Sequence, residues 1–314
     1  MGHRFTYVVS PEEERENLTV EWFLRRHGYS RHIITGLKRT EDGIFRNGVR
    51  AWTSQAVHAG DVIETHLVET EPSDGILPRP VPFSVVYEDD DILVVDKPAD
   101  TPIHPSIGNY ENTLANGIAW YFEQKGEPFV YRCINRLDRD TTGLIVLAKH
   151  ALSAAVLSQA MRSREIHRTY QAFALGETAA SGTIDAPIAR LNGSLIQRTV
   201  DFASGERSVT HYRTLAHCSV FSHLELNLET GRTHQIRAHL ASIGHPIAGD
   251  YKYGNRSFND ALKKKYGLRS QLLHAYRLEF PENCEEDIKQ LSGKIIKAPV
   301  PALFEQICKA QGVM

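Results

Sequence analysis

The sequence of 314 residues is poor in cysteine and has no long apolar run. Its four cysteines are scattered without a C-x-x-C pair, which argues against a disulfide framework and a zinc site and predicts reduced thiols. No apolar run approaches the roughly 18 residues that cross a bilayer, and the first residues lack the apolar region of a signal peptide. We therefore expect a cytoplasmic protein that does not associate with a membrane.

An excess of charge of one sign is also missing, because the formal net charge is only −2. A hydrophobic content of 41% and a charged content of 24% are typical of a globular protein, and the length allows two domains. The charge is nevertheless unevenly distributed. Between Arg25 and Arg50, seven basic residues stand against two acidic ones, a local excess of five. Such a local basic patch indicates a surface that contacts nucleic acid.

A cluster of charged residues lies near the middle of the chain, directly before an apolar run typical of a strand. The cluster is Arg136-Leu-Asp-Arg-Asp140, and Thr-Thr-Gly143 leads from it into the run 144–149. Charged side chains at the mouth of a buried strand are well placed to form a site. Acids flanked by arginines can equally form a solvated turn, so residue types alone leave both interpretations open.

The stretch 136–143 resembles the signature His-Arg-Leu-Asp-x-x-Thr/Ser-Gly of the RluA-type RNA pseudouridine synthases. The resemblance implies that Asp138 is the catalytic nucleophile. Asn135 stands where many members of the family have histidine. Because this position is not the nucleophile, the departure concerns the local support of the loop rather than the chemistry.

Other stretches resemble further motifs of the family, in the family's order. Residues 168–172 resemble Lys-x-Tyr-x-Ala, which implies that Tyr170 stacks on the target base and takes part in proton removal. Residues 231–240 resemble Gly-Arg-Thr-His-Gln-Ile/Leu-Arg-x-His-Leu, which implies that Arg237 pairs with Asp138 and holds it ionised. Residues 247–254 and 271–278 match a Gly-Asp-x-x-Tyr-Gly loop and a Leu-His-Ala strand, so the resemblance covers about 83–314.

Four more residues are predicted to contact the substrate. On a helix that begins near Gly231, Ile236 would point with Arg237 at one site, while Arg232 and His234 lie at its mouth. The fourth residue is Arg136, which would fill the space of the displaced base or bind a phosphate.

The histidines of the 231–240 stretch do not have the spacing of a metal site. His234 and His239 are five residues apart, about 140° around a helix, unlike the i, i+4 pair of a zinc-binding H-E-x-x-H motif. We therefore expect no metal and no cofactor.

The predicted fold is α+β, with two domains. A catalytic domain over 83–314 would have a mixed, mainly antiparallel sheet flanked by helices, and 71–82 would be a Pro-rich linker. Residues 1–70 resemble the alpha-L RNA-binding module, a small α+β domain. That resemblance implies RNA backbone contacts by Arg31, Lys38, Arg39 and Arg46. A solvated basic face is the alternative.

The sequence therefore predicts a monomeric RNA pseudouridine synthase that isomerises specific uridines in structured RNA, ribosomal RNA rather than transfer RNA. A carboxylate suits the reaction, because it can attack the anomeric carbon, or act after loss of the neighbouring sugar proton, and then leave. One alternative is a non-catalytic RNA-binding or ribosome-assembly protein. Another is a nucleoside or glycan hydrolase, although Asp138 lacks a clear acid partner for that reaction.

Overall fold

The computed structural model describes residues 2–69, 72–194 and 196–312, and its first part is a four-stranded antiparallel sheet with two helices. These elements are β1 (Gly2–Val8), α1 (Val20–Arg26), α2 (Arg31–Arg39), β2 (Ile44–Arg46), β3 (Val49–Arg50) and β4 (Val62–Val68). Thr19 and Ser30 cap the two helices by accepting backbone N–H groups. An Asn-Gly pair is typical of a two-residue hairpin turn, and Asn47 and Gly48 both have positive φ in the turn that joins β2 to β3.

The larger part is built on a nine-stranded sheet. Its strands are β5 (Ser84–Glu88), β6 (Ile92–Lys97), β7 (Thr142–Ala148), β8 (His167–Leu175), β9 (Ser181–Asp185), β12 (Val209–His217), β13 (Phe221–Leu228), β14 (Leu273–Glu279) and β15 (Ile295–Lys297). Strands β10 (Ile188–Arg190) and β11 (Arg198–Val200) form a separate hairpin. The sheet order is β5-β6-β7-β14-β8-β13-β12-β9, with β15 beside β14. Only the β7–β14 pair is parallel within the described residues, which confirms the predicted mixed, mainly antiparallel sheet.

Five helices and one short 3₁₀ segment, Glu286–Leu291, flank this sheet within the described residues. The helices are α3 (Leu114–Lys125), α4 (Ala151–Ser163), α5 (Gln235–Ser242), α6 (Arg256–Tyr266) and α7 (Ala302–Gln311).

The predicted starts of two of these helices were wrong. The stretch 112–122 predicts a helix capped at Asn112, but α3 is capped by Thr113, because the side chains of Thr113 and Asn116 each accept the other's backbone N–H. Helix α5 begins at Gln235 rather than near Gly231. The Gln235 side chain accepts from Thr230 Oγ1 and from the Arg232 N–H, which holds the preceding residues in a turn.

The two parts of the molecule share one apolar core. Phe23 and Leu24 of α1 belong to the same buried cluster as Leu152 and Val156 of α4. Gly28, at φ +79°, is required where the α1–α2 turn meets α4, because a Cβ there would lie 2.7 Å from a methyl group of Val156. The amino-terminal part is therefore packed directly against the larger sheet.

Polar contacts also cross between the two parts. Arg132 forms a bidentate ion pair with Glu69, with contacts of 2.6 and 3.0 Å. In the Pro-rich segment, Ser73 Oγ accepts the Tyr131 N–H and the Leu77 carbonyl accepts the Asn116 side chain. The predicted boundary at Thr70 and Glu71 lies outside the described residues, and the division into 1–70, 71–82 and 83–314 stays a prediction.

Candidate active site

The loop that contains Asp138 runs from the single β-bridge at Cys133 to the start of strand β7. Two buried side chains support this loop. Asn135 donates to the Leu144 carbonyl at 3.0 Å and accepts the Val146 N–H at 2.8 Å, which ties the loop to the edge of β7. Lys97, fully buried beneath the loop, donates to the carbonyls of Pro98 and Arg139, at 2.8 Å each. Burial lowers the pKa of Lys97 to about 8. These bonds hold the backbone on both sides of Asp138.

Asp138 forms the outer end of a chain of three charged side chains. Arg237 Nη1 donates to Asp138 Oδ2 at 2.8 Å. The other edge of the same guanidinium binds Asp250 through Nε at 2.6 Å and Nη2 at 2.9 Å. The predicted pairing of Arg237 with Asp138 is therefore present in the structure. The catalytic role of Asp138 stays a prediction.

Burial increases from the outer to the inner end of this chain. The Asp138 side chain is 23% exposed, Arg237 5% and Asp250 0%. Asp250 also accepts the N–H groups of Lys252 and Tyr253, so its charge is compensated although it is buried. The hydrogen bonds and charges of Asp250 and Asp138 raise the pKa of Arg237. The guanidinium is thus a fixed cation directed at Asp138.

His234 lies beside this chain and is uncharged at neutral pH. Burial lowers the pKa of His234 to about 4, and its Nε2 lies 3.8 Å from Asp138 Oδ2. The Tyr253 hydroxyl oxygen accepts the Arg198 N–H at 2.7 Å and lies 2.8 Å from His234 Nδ1. Because that oxygen already accepts one bond, its own proton is free to be donated to Nδ1. Donation from Tyr253 to Nδ1 would place the imidazole proton on Nε2, on the side of Asp138.

A cavity of about 270 Å³ opens next to Asp138. Tyr170, only 4% exposed, forms part of its wall from β8, and Ile236 lines it from α5. Leu137, Leu228 and Leu273 contribute further apolar surface. A cavity that combines apolar walls with a carboxylate can hold a heterocyclic base beside a reacting sugar.

Two predicted substrate contacts, Arg136 and Arg232, lie at the cavity's exposed rim. Arg232 forms an ion pair with Glu206 at 2.5 Å, while no hydrogen bond or ion pair engages the Arg136 side chain within the described residues. The structure therefore places all seven predicted catalytic and substrate-contacting residues around one cavity, with Arg237, Ile236 and Tyr170 inside and the two arginines at the mouth.

The four predicted RNA-backbone residues lie elsewhere, on the amino-terminal part. Arg31, Lys38 and Arg39 are exposed on α2. Arg46 is half-buried, and its Nε donates to Asp61 at 2.8 Å, so a carboxylate already neutralises its charge. The structure thus leaves three of these four charges facing solvent.

Sequence reasoning assigned no role to three residues that build the site, namely Asp250, Tyr253 and Lys97. A signal was available for the first two, because both fall in the 247–254 stretch that matched a motif of the family. Their role depends on the fold, which brings the loop into contact with Arg237; Asp250 lies thirteen residues after Arg237 in the sequence. Lys97 is the last residue of β6, a position at which the sequence gives no sign that a lysine is buried. In the structure its side chain is fully buried.

Comparison with known proteins identifies the family of the chain. A family model described as RNA pseudouridylate synthase matches residues 91–242. The uncharacterized RNA pseudouridine synthase YjbO of Bacillus subtilis is 33% identical over 295 residues, covering 94% of this chain and 99% of that protein. The chain belongs to the RNA pseudouridylate synthase family.

Other members of the RNA pseudouridylate synthase family match over shorter regions. Ribosomal large subunit pseudouridine synthase D of Escherichia coli O6:H1 is 42% identical over 188 residues, which are 60% of this chain. This alignment spans 57% of that protein's length. The solved structure of human RNA pseudouridylate synthase domain containing 4 has a TM-score of 0.57 at 25% identity, and the match covers 74% of this chain and 94% of that one.

The described residues contain neither a cluster of metal ligands nor a helix that could span a membrane. No group of three or more His, Cys, Asp or Glu side chains in 2–69, 72–194 and 196–312 is arranged to hold a metal ion. Over the same residues, no helix is long and apolar enough to cross a membrane.

Proposed function

We propose that this protein is an RNA pseudouridine synthase in which Asp138 is the nucleophile. The observation that carries the proposal is the position of the Asp138 carboxylate at the edge of a base-sized cavity. Arg237 binds this carboxylate, and the buried Asp250 binds the opposite edge of the Arg237 guanidinium. The family to which the chain belongs supports the reaction class. A carboxylate fixed in this way needs no reorganisation before it attacks.

The reaction breaks the bond between N1 of uracil and C1′ of ribose and forms a bond between C5 and C1′. During the exchange C5 loses a proton and N1 gains one, so neither oxidation nor reduction is required. Asp138 reacts at the sugar, by direct attack on C1′ or after loss of the neighbouring sugar proton. Tyr170 and Ile236 hold the detached base in the cavity while it turns, and the Tyr170 phenol takes part in removing the C5 proton.

One cation and one neutral side chain flank Asp138. Arg237 supplies the positive charge, and His234 stays neutral because burial lowers its pKa to about 4. With its proton on Nε2, His234 faces the carboxylate with an N–H rather than a lone pair. Arg237 therefore orients the carboxylate at 2.8 Å, while His234 is a neutral neighbour at 3.8 Å.

The substrate we propose is structured RNA, with ribosomal RNA favoured over transfer RNA. The support is the name of the Escherichia coli relative, which refers to the large ribosomal subunit. A uridine in folded RNA must leave its stack to reach this cavity, at a cost of a few kcal/mol. Arg136 at the exposed rim is placed to bind a phosphate or fill the vacated space. We further propose that the protein acts as a cytoplasmic monomer.

The proposal is tested by mapping pseudouridine with carbodiimide and reverse transcription in total RNA. The strains compared lack the protein, or carry the wild type, Asp138→Asn or the matched control Asp140→Asn. We expect one or a few stops in ribosomal RNA that disappear without the protein and with Asp138→Asn, and that remain with Asp140→Asn. Asp140 is a suitable control because it belongs to the same loop but does not line the cavity.

An identical map in all four strains would contradict the assignment to ribosomal and transfer RNA. The alternative of a non-catalytic RNA-binding protein would then be preferred, since RNA binding by the exposed basic residues of α2 does not require Asp138. Release of free uracil would instead indicate a hydrolase.

A further inference from the structure

A groove of about 380 Å³ opens beside the catalytic cavity and shares part of its wall. It lies between the end of α4, the start of β8 and the segment that follows β13. Arg168, Leu228, Gly231 and Arg232 line both the cavity and this groove. A strand of RNA that delivers one nucleotide into the cavity therefore has a continuous path into the groove.

Arg168 stands at the junction between the two spaces. It precedes Tyr170 by two positions on β8, so both side chains point to the same face of the strand, about 6.6 Å apart along it. A Cβ built on Gly231 would lie 3.6 Å from Arg168 Nη2, which places the guanidinium against the backbone that separates cavity from groove. Arg168 thus lies where the cavity and the groove meet.

The charge of Arg168 has no partner within the described part of the chain. Its guanidinium is half-buried, yet no carboxylate and no hydrogen-bond acceptor there engages it. Arg237, by contrast, binds two carboxylates. A half-buried guanidinium without a protein acceptor is available to an anion, and a phosphodiester matches its planar donor edge.

The remaining charges of the groove are mostly positive. Arg162, Arg164, Arg168 and Arg232 line it, against the single acid Glu229. Glu229 is already shared among Arg207 at 3.0 Å, His211 at 3.0 Å and Arg164 at 3.8 Å. Arg162 donates to the uncharged amide of Gln159. The groove as a whole therefore suits a polyanion.

We propose that Arg168 binds a backbone phosphate next to the target uridine, and that this groove holds the adjoining RNA strand, with Arg162 and Arg164 contacting further phosphates. This inference rests on the proposed function, because it takes RNA as the substrate of the cavity. Phosphate contacts position the strand and carry no base specificity. Arg168 is accordingly a substrate-positioning residue rather than a catalytic one.

The test is filter binding of an unmodified in vitro transcript of large-subunit ribosomal RNA at several KCl concentrations. All proteins carry Asp138→Asn, so that catalysis does not contribute. Arg168→Ala should weaken binding roughly tenfold. Arg168→Ala should also reduce the magnitude of the slope of log affinity against log salt concentration by about 0.7 to 0.9, the value expected for one phosphate contact. Arg168→Lys should restore most of the slope, because it keeps the charge.

Arg269→Ala is the matched control, since Arg269 is exposed and lines neither the cavity nor the groove. Affinity and slope for Arg168→Ala equal to those of this control would overturn the proposal. Should Arg168→Ala fail to fold, the exposed pair Arg162→Ala/Arg164→Ala serves instead, with an expected slope change of about 1.4 to 1.8. An unchanged slope in that double variant would overturn the proposal equally.

The failure of this inference can be distinguished from that of the proposed function. If wild-type protein forms no pseudouridine in any RNA while binding still depends on Arg168, the proposed function fails and the groove stands as an RNA-binding site. If pseudouridine forms and Arg168→Ala binds like the control, the groove assignment fails and the proposed function stands.

Discussion

The catalytic cavity and the basic face of the amino-terminal part both contain arginine, but in opposite settings. Arg237 is 5% exposed and joins Asp138 to the fully buried Asp250. Arg31, Lys38 and Arg39 are exposed on one side of α2. A buried chain of charges fixes one geometry, so single changes in it should have large effects. Exposed charges add small, salt-screened increments of affinity that tolerate substitution.

The largest effect on stability should come from the inner end of the buried chain. Asp250→Asn leaves Arg237 as a buried cation with an inadequate partner, and we expect a loss of about 3 to 5 kcal/mol in the free energy of unfolding. Urea denaturation measures it, with the exposed Asp260→Asn as the matched control. A loss below about 1 kcal/mol, no larger than that for an exposed ion pair, would remove the distinction between the two regions.

Replacing the middle of the chain should affect the reaction more than RNA binding. Arg237→Lys keeps the charge, but one ammonium cannot reproduce the bidentate contact with Asp250 and also reach Asp138. We expect kcat to fall about 100- to 1000-fold, with RNA affinity nearly unchanged. Single-turnover kinetics provide the measurement, and Arg136→Lys at the rim is the comparison. Equal losses for both variants would show that burial confers no special role on Arg237.

How far the sequence predicted this site depends on the kind of contact. Matching of motifs predicted that Arg237 pairs with Asp138, because both residues lie within stretches that resemble the family. The partners Asp250 and Lys97 were missed because their functions depend on burial and on a returning loop, which no local pattern encodes. The effect of Asn135 was likewise visible only once its amide bridged two backbone groups of β7.

The fold shows the same division between local and long-range information. The α+β class and the mainly antiparallel sheet were predicted correctly, from strand-like and helix-like stretches within a region that resembles the family. The start of α5 was not, because the Gln235 side chain holds residues 230–234 in a turn. The shared core between α1 and α4 depends on a close approach at Gly28 that a sequence pattern does not reveal.

A pH effect of intermediate size should also come from the cavity. Burial lowers the pKa of His234 from its ordinary value of 6.5 to about 4, so the unfolded chain takes up a proton first as the pH falls. The contribution of neutral His234 to the free energy of unfolding is fully present above pH 6.5 and is lost as the pH falls towards 4. When the pH is lowered from 7 to 5, the free energy of unfolding of the wild type should therefore fall by about 2 kcal/mol more than that of His234→Gln. Parallel pH profiles for the two proteins would contradict this.

The smallest effects should come from the exposed basic face. We expect Lys38→Ala/Arg39→Ala to leave kcat unchanged and to lower the salt dependence of RNA affinity by at most about 0.7 to 0.9 per residue. Filter binding at several salt concentrations measures this change. A loss of kcat comparable to that of Arg237→Lys would show that the two regions act together in catalysis.

The most direct test of the central claim is release of tritium from RNA transcribed with [5-³H]uridine, because the proposed reaction removes the proton from C5. Purified wild type and Asp140→Asn should release tritium at similar rates, while Asp138→Asn should release it at least about 10⁴-fold more slowly and still bind the RNA. Release by Asp138→Asn at the wild-type rate would contradict the assignment of Asp138 as the nucleophile.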